Sequence, residues 1–135
     1  MNFRNLAFQS VNKVLSSTAS GKTLGGQVPA GKRRFITFLM VDGLTAERTS
    51  GLGVYIASVG VSNPTAASIM ATGNRKLLIT ASATQISRND VLRPVVFPIA
   101  GPTANAPLFS IAGGKWLAAY STATTVNLTV GYFDE

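Results

Sequence analysis

Apolar and polar positions alternate along most of this chain with a period of two. The clearest case is near the end. Val126, Leu128, Val130 and Tyr132 alternate with Thr125, Asn127, Thr129 and Gly131, which predicts a strand with one core face and one polar face. Residues 34–41 are apolar on both parities, with Ile36, Phe38 and Met40 on one and Phe35, Leu39 and Val41 on the other. That pattern predicts a central strand covered on both sides, or one lying at an interface. Leu52, Val54 and Ile56 alternate with Gly53, Tyr55 and Ala57, and residues 77–81 predict a further strand. Val95, Phe97 and Ile99 share a parity, and Pro98 puts their strand at a sheet edge or near its own end.

Punctuation falls between these runs. Asp42-Gly43, Asn63-Pro64, Arg88-Asn89-Asp90 and the loop of residues 101–107 each mark a turn or break. Residues 108–111, then Gly113-Gly114, then residues 115–121 read as a hairpin. Residues 16–26 are small and polar and read as a connection. Residues 2–15 are ambiguous: Phe8, Val11 and Leu15 fit one helical stripe, but the lack of strong helix formers weakens it, and a strand or an irregular arm fits at least as well. About seven or eight strands with no convincing long helix predict an all-β fold, an antiparallel β-sandwich of the jelly-roll kind. The division expected is an extended basic N-terminal arm, residues 1–23, ahead of a sandwich domain, residues 24–135.

Composition sharpens this picture. The chain has 135 residues, enough for one domain with its own core. Only 13% are charged, against roughly 25% in ordinary globular chains. There is no histidine and no cysteine, which excludes thiol and imidazole chemistry, disulfides and metal sites built on those ligands. Five carboxylates remain, two of them terminal (Asp134, Glu135) and two in turns (Asp42, Asp90). No catalytic constellation, cofactor or metal is expected from that set. No apolar run approaches the ~20 residues that span a bilayer. The first residues also lack the apolar h-region of a signal peptide, so a soluble protein made in the cytosol is expected.

The net charge of +7 is unevenly placed. Arg4, Lys13, Lys22, Lys32, Arg33 and Arg34 all lie in the first 34 residues, which hold no acid. The remainder is close to neutral. These six bases are the candidate partner-binding set, suited to phosphates, an anionic surface or an acidic patch on a protein. The plainer reading is a solvated segment that aids solubility. Trp116 and Tyr120 share a parity and form a possible aromatic platform for sugars or bases, although such side chains more often belong to a core.

Two stretches imitate a phosphate-binding loop. Residues 16–23 match GxxxxGK[ST] except for the first glycine, and residues 26–33 carry Arg33 where Ser or Thr should stand. A true loop of this kind follows a strand and opens a helix. Neither context is predicted here, so both matches read as coincidence.

Two segments carry a resemblance. Residues 28–41, Val-Pro-Ala-Gly-Lys and then a long apolar strand, resemble the opening of small β-sandwich proteins of tailed bacteriophage particles. Ile111-Ala112-Gly113-Gly114-Lys115-Trp116-Leu117, followed by residues 124–132, resembles their close. The resemblance spans roughly residues 24–135 and lends no catalytic residues. It implies a jelly-roll virion protein, most of all one that decorates or cements a capsid. It further implies trimeric assembly, binding to a major capsid protein or other virion subunits, and a place in the virion after assembly in the host cytoplasm. Two other functions stay open beside it. One is a coat or nucleic-acid-binding protein of a small virus. The other is a tail, fibre or carbohydrate-binding module using Trp116 or a tyrosine.

Overall fold

A computed structural model describes residues 8–15, 21–42, 52–81, 95–97, 108–122 and 126–135. Nine strands and one short helix occur in order among these residues. They are β1 (Gln9–Leu15), β2 (Lys22–Leu24), β3 (Arg33–Asp42), β4 (Leu52–Val59), α1 (Ala66–Met70), β5 (Arg75–Ala81), β6 (Val95–Phe97), β7 (Phe109–Ala112), β8 (Trp116–Ser121) and β9 (Val126–Asp134). All the strand pairs are antiparallel. The sheets run β1-β9-β3-β6, with β7 also on β3, and β2-β8-β4-β5.

Strands β6 and β7 share one lane. Residues 95–97 pair with Val41 to Leu39, and residues 109–112 continue along the same strand from Ile36 to Arg33. They are therefore one interrupted strand position, and each sheet has four positions. With β6 and β7 taken together, the chain changes sheet at every step except from β4 to β5. This is the double-Greek-key jelly roll. The sequence reading of an antiparallel jelly-roll sandwich is borne out.

Alternation places the core between the sheets. Val126, Leu128, Val130 and Tyr132 of β9 point inward, as their period of two requires. They meet Val54, Ile56, Leu117 and Ala119 of the second sheet in one cluster, sealed by Leu15, Leu24 and Val28.

Strand β3 departs from simple alternation. The register with β9 shifts between Ile36 and Phe38, which leaves Thr37 as the extra residue of a bulge. The Thr37 hydroxyl donates to the Gly131 carbonyl at 3.2 Å. One inserted residue reverses the facing of the rest of the strand. Ile36 therefore shares the core with Leu39 and Val41, while Phe35, Phe38 and Met40 are half-buried outside it. The grouping of Ile36 with Phe38 and Met40 is corrected on this ground.

The expected hairpin of residues 108–121 is also corrected. Strand β7 pairs with β3 in one sheet, and β8 pairs with β2 and β4 in the other. A two-residue type I′ hairpin turn needs positive φ at both central residues. Of Gly113 and Gly114, only Gly114 has it, at 81°. Gly113 is instead needed for close approach, since a Cβ there would lie 2.8 Å from the Pro29 carbonyl and 2.9 Å from that of Lys32. Gly113→Ala should cost about 1–3 kcal/mol through this overpacking, read as a lower urea midpoint.

The N-terminal region is more structured than a free arm. Residues 9–15 form an edge strand, paired with β9 from Gln9↔Tyr132 to Leu15↔Val126. Residues 22–24, read as part of a connection, pair with β8. The hydrophobic anchors Leu15 and Leu24 hold both to the core. The predicted turns at 88–90 and 101–107 lie outside the described residues, as do Gly43 and Ile99.

A short helix interrupts the β4–β5 connection. Thr65 caps it, its Oγ1 accepting the Ser68 N–H at 3.2 Å. Ile69 is its one buried residue and packs on Ala57, Val59 and Ala118, on the outer face of the second sheet.

Candidate functional site

The six predicted bases fall into separate places. Arg4 lies outside the described residues. Arg34 is buried, at 3% exposure, and its bonds are internal. Nε and Nη2 donate to Asp134 Oδ1 and Oδ2 at 2.7 and 2.9 Å, and Nη1 donates to the Gly26 carbonyl at 2.8 Å. The guanidinium also lies 4.1 Å from the Tyr132 ring centroid. Planar, bidentate geometry of this sort is what arginine offers and lysine does not. Arg34 therefore ties β3, β9 and the residue 25–26 turn together, and it is not available to a partner.

Lys32 and Arg33 are exposed at the start of β3. Arg33 Nε donates to Ser110 Oγ at 2.8 Å, and its backbone exchanges two hydrogen bonds with Glu135. The β7–β8 corner brings exposed Lys115 to this end of the sandwich, because Val28 bonds both the Lys115 carbonyl and the Gly114 N–H. Sequence reasoning missed Lys115, which lies far from the N-terminal cluster along the chain and adjoins it only through this corner.

Lys13 and Lys22 meet at a cleft of about 350 Å³, walled by Thr23 and by Ser62, Asn63 and Thr65 of the β4–β5 connection. Edge strands β1 and β2 flank it. Lys13 stands at the parity of Val11 and Leu15, opposite Leu128, so it occupies an inward register position at the open side of the sandwich. An inward charge on an edge strand is one way folds discourage edge-to-edge pairing. Gly21 also lines the cleft, its N–H donating to the Pro64 carbonyl at 3.1 Å.

Trp116 and Tyr120 do share a face, as their parity implies. Both are partly buried against the Ile69 cluster beside α1. Residues 21–23 of the first loop-like motif run into strand β2, and the second motif runs into strand β3, so neither opens a helix. Among the described residues there is no group of His, Cys, Asp and Glu that could hold a metal.

No family model matches the chain. No curated protein matches it either. Among solved structures it is similar to a chain of desmodium yellow mottle tymovirus, with 12% identity over 96% of this chain and 86% of that one, at a TM-score of 0.36.

Proposed function

We propose that the chain is a structural subunit of a virus particle, and more narrowly a coat protein whose basic leading residues face nucleic acid. The observation that carries this reading is the strand order. Sheets β1-β9-β3-β6/β7 and β2-β8-β4-β5 make the eight-position jelly roll that serves capsid domains, lectins and cupins. Two features choose among those uses. The space between the sheets is filled mainly by Leu, Ile and Val side chains, and its buried polar group, Arg34 with Asp134, is bonded internally, which leaves no open polar cluster for an interior ligand among the described residues. The aromatic pair Trp116 and Tyr120 is partly buried against the cluster around Ile69, which supports a packing role over a sugar platform.

The outer surface supports assembly. Phe35, Phe38 and Met40 are half-buried on the outer side of the first sheet, and Phe8 is 54% exposed. Phe8 and Phe35 both pack on the buried Phe133 ring, at centroid distances of 5.3 and 5.2 Å. Interface cores are depleted in charge and enriched in Phe and Met. With Arg34 set aside for the fold, the other five bases among the first 34 residues suit a phosphate backbone.

Purified protein should form shells or discrete oligomers by light scattering and electron microscopy. Phe38→Asp should block that assembly while keeping the thermal melt of the subunit. Closed shells formed by this chain alone support the coat reading. A discrete oligomer that binds only preformed shells supports decoration of another protein's capsid. A monomer at every concentration and salt tested, with no affinity for shells, overturns the proposal.

A further inference from the structure

We propose that the cleft between β1 and β2 is an oxyanion site that takes phosphate groups. This goes beyond the particle reading, since a single subunit would bind as well as an assembled one. Two cations share one concave site, Lys13 from the edge of the first sheet and Lys22 from the edge of the second. Among the described residues no carboxylate lines it. Two like charges in one cleft repel each other, and an anion between them reverses the sign of that interaction.

The remaining wall is chemically suited to the same ligand. Ser62 and Thr65 carry hydroxyls and Asn63 an amide N–H₂, groups able to donate to phosphate oxygens. Thr65 Oγ1 already accepts the Ser68 N–H, which leaves its own proton to donate outward. The volume, about 350 Å³, is at the small end of ligand sites and holds a phosphate together with an ester substituent.

The position of Lys13 points the same way. Its same-parity neighbours Val11 and Leu15 pack on or in the core. A polar residue meant only to be solvated fits the outward positions of β1, where Ser10 and Asn12 already stand. Lys13 is placed where the two sheet edges open towards Lys22. Residues 13, 22 and 62–65 come together only through the fold. The Gly21 N–H, donating to the Pro64 carbonyl at 3.1 Å, holds the start of β2 against residues 62–65.

Isothermal titration of the full chain tests this with two probes, inorganic phosphate and a uridylate decamer. The variants are Lys13→Gln/Lys22→Gln and, as a control, Arg75→Gln/Lys76→Gln on β5, away from the cleft and from the leading bases, each checked for an unchanged melt. Saturable binding of at least one probe should weaken about tenfold or more in the first pair and hold in the control. For the decamer, the slope of log affinity against log salt should flatten by about 1.4 on loss of two phosphate contacts. Binding of phosphate alone identifies a free anion or monoester site. Preferential binding of the decamer identifies a phosphodiester site. Either supports the proposal. No saturable binding of either probe, or equal loss in both variant pairs, overturns it.

Discussion

Deleting residues 1–15 is expected to unfold the sandwich. The deletion removes strand β1, whose residues pair with β9 along its whole length. It takes away Leu15, 1% exposed, and Val11, packed against the same core. It also breaks the hydrogen bond from the Tyr132 hydroxyl to Gln9 Oε1 at 3.0 Å. Burying one leucine is worth about 1.5–3 kcal/mol, and the loss uncovers Val126, Leu128 and Val130 beneath it. The total exceeds about 5 kcal/mol, comparable to the whole stability of a small domain. Deleting residues 1–7 leaves β1 intact and should leave the urea midpoint near that of the full chain. Circular dichroism during urea titration distinguishes the two truncations. A cooperative, native-like transition after removal of residues 1–15 would show that β1 is a dispensable arm.

That expectation reverses what the sequence alone suggests, and the reason is physical. Strand β1 reads Gln-Ser-Val-Asn-Lys-Val-Leu, with Val11 and Leu15 as its inward apolar residues and a lysine between them. Its alternation is broken by Lys13, which the open cleft tolerates. A pattern rule sees only the break. Strand β2 has three residues and one inward leucine, too short for a period to register. By contrast, β9 keeps its period over Val126, Leu128, Val130 and Tyr132 without exception, because one of its faces meets a continuous core.

Where the sequence misleads, a single residue changes the meaning of the rest. Thr37 inserts a bulge and reverses the facing of Phe38 to Val41. Gly113-Gly114 has a hairpin's composition, but its dihedral angles turn a corner between sheets. The candidate site shows the same limit. That Trp116 and Tyr120 share a face was legible, because parity is local. The meeting of Lys13 with Ser62 and Asn63 was not, since it depends on how two sheet edges close on one another. Nor could a count of bases show that Arg34 is committed to Asp134, one hundred positions away.

That commitment predicts the second large effect. Arg34→Met should destabilise the fold by about 3 kcal/mol, at the low end of the 3–5 kcal/mol typical of a buried pair losing one partner. The low end is chosen because the Asp134 side chain keeps 15% of its exposure and so retains some water. The substitution leaves the Asp134 carboxylate without its bidentate partner and the Gly26 carbonyl without its donor. It also removes the cation from the face of Tyr132. The melting temperature should fall by roughly 10 °C. Arg34→Met/Asp134→Leu should recover most of that loss, since apolar replacement of both partners removes the unpaired charge. The effect should change little with salt, because a buried pair is screened less than exposed charges. A surface role predicts the opposite pattern: Arg34→Met would leave the melt unchanged and weaken only assembly or nucleic-acid binding. A stability change below about 1 kcal/mol would place Arg34 in that surface class and return it to the partner-binding set.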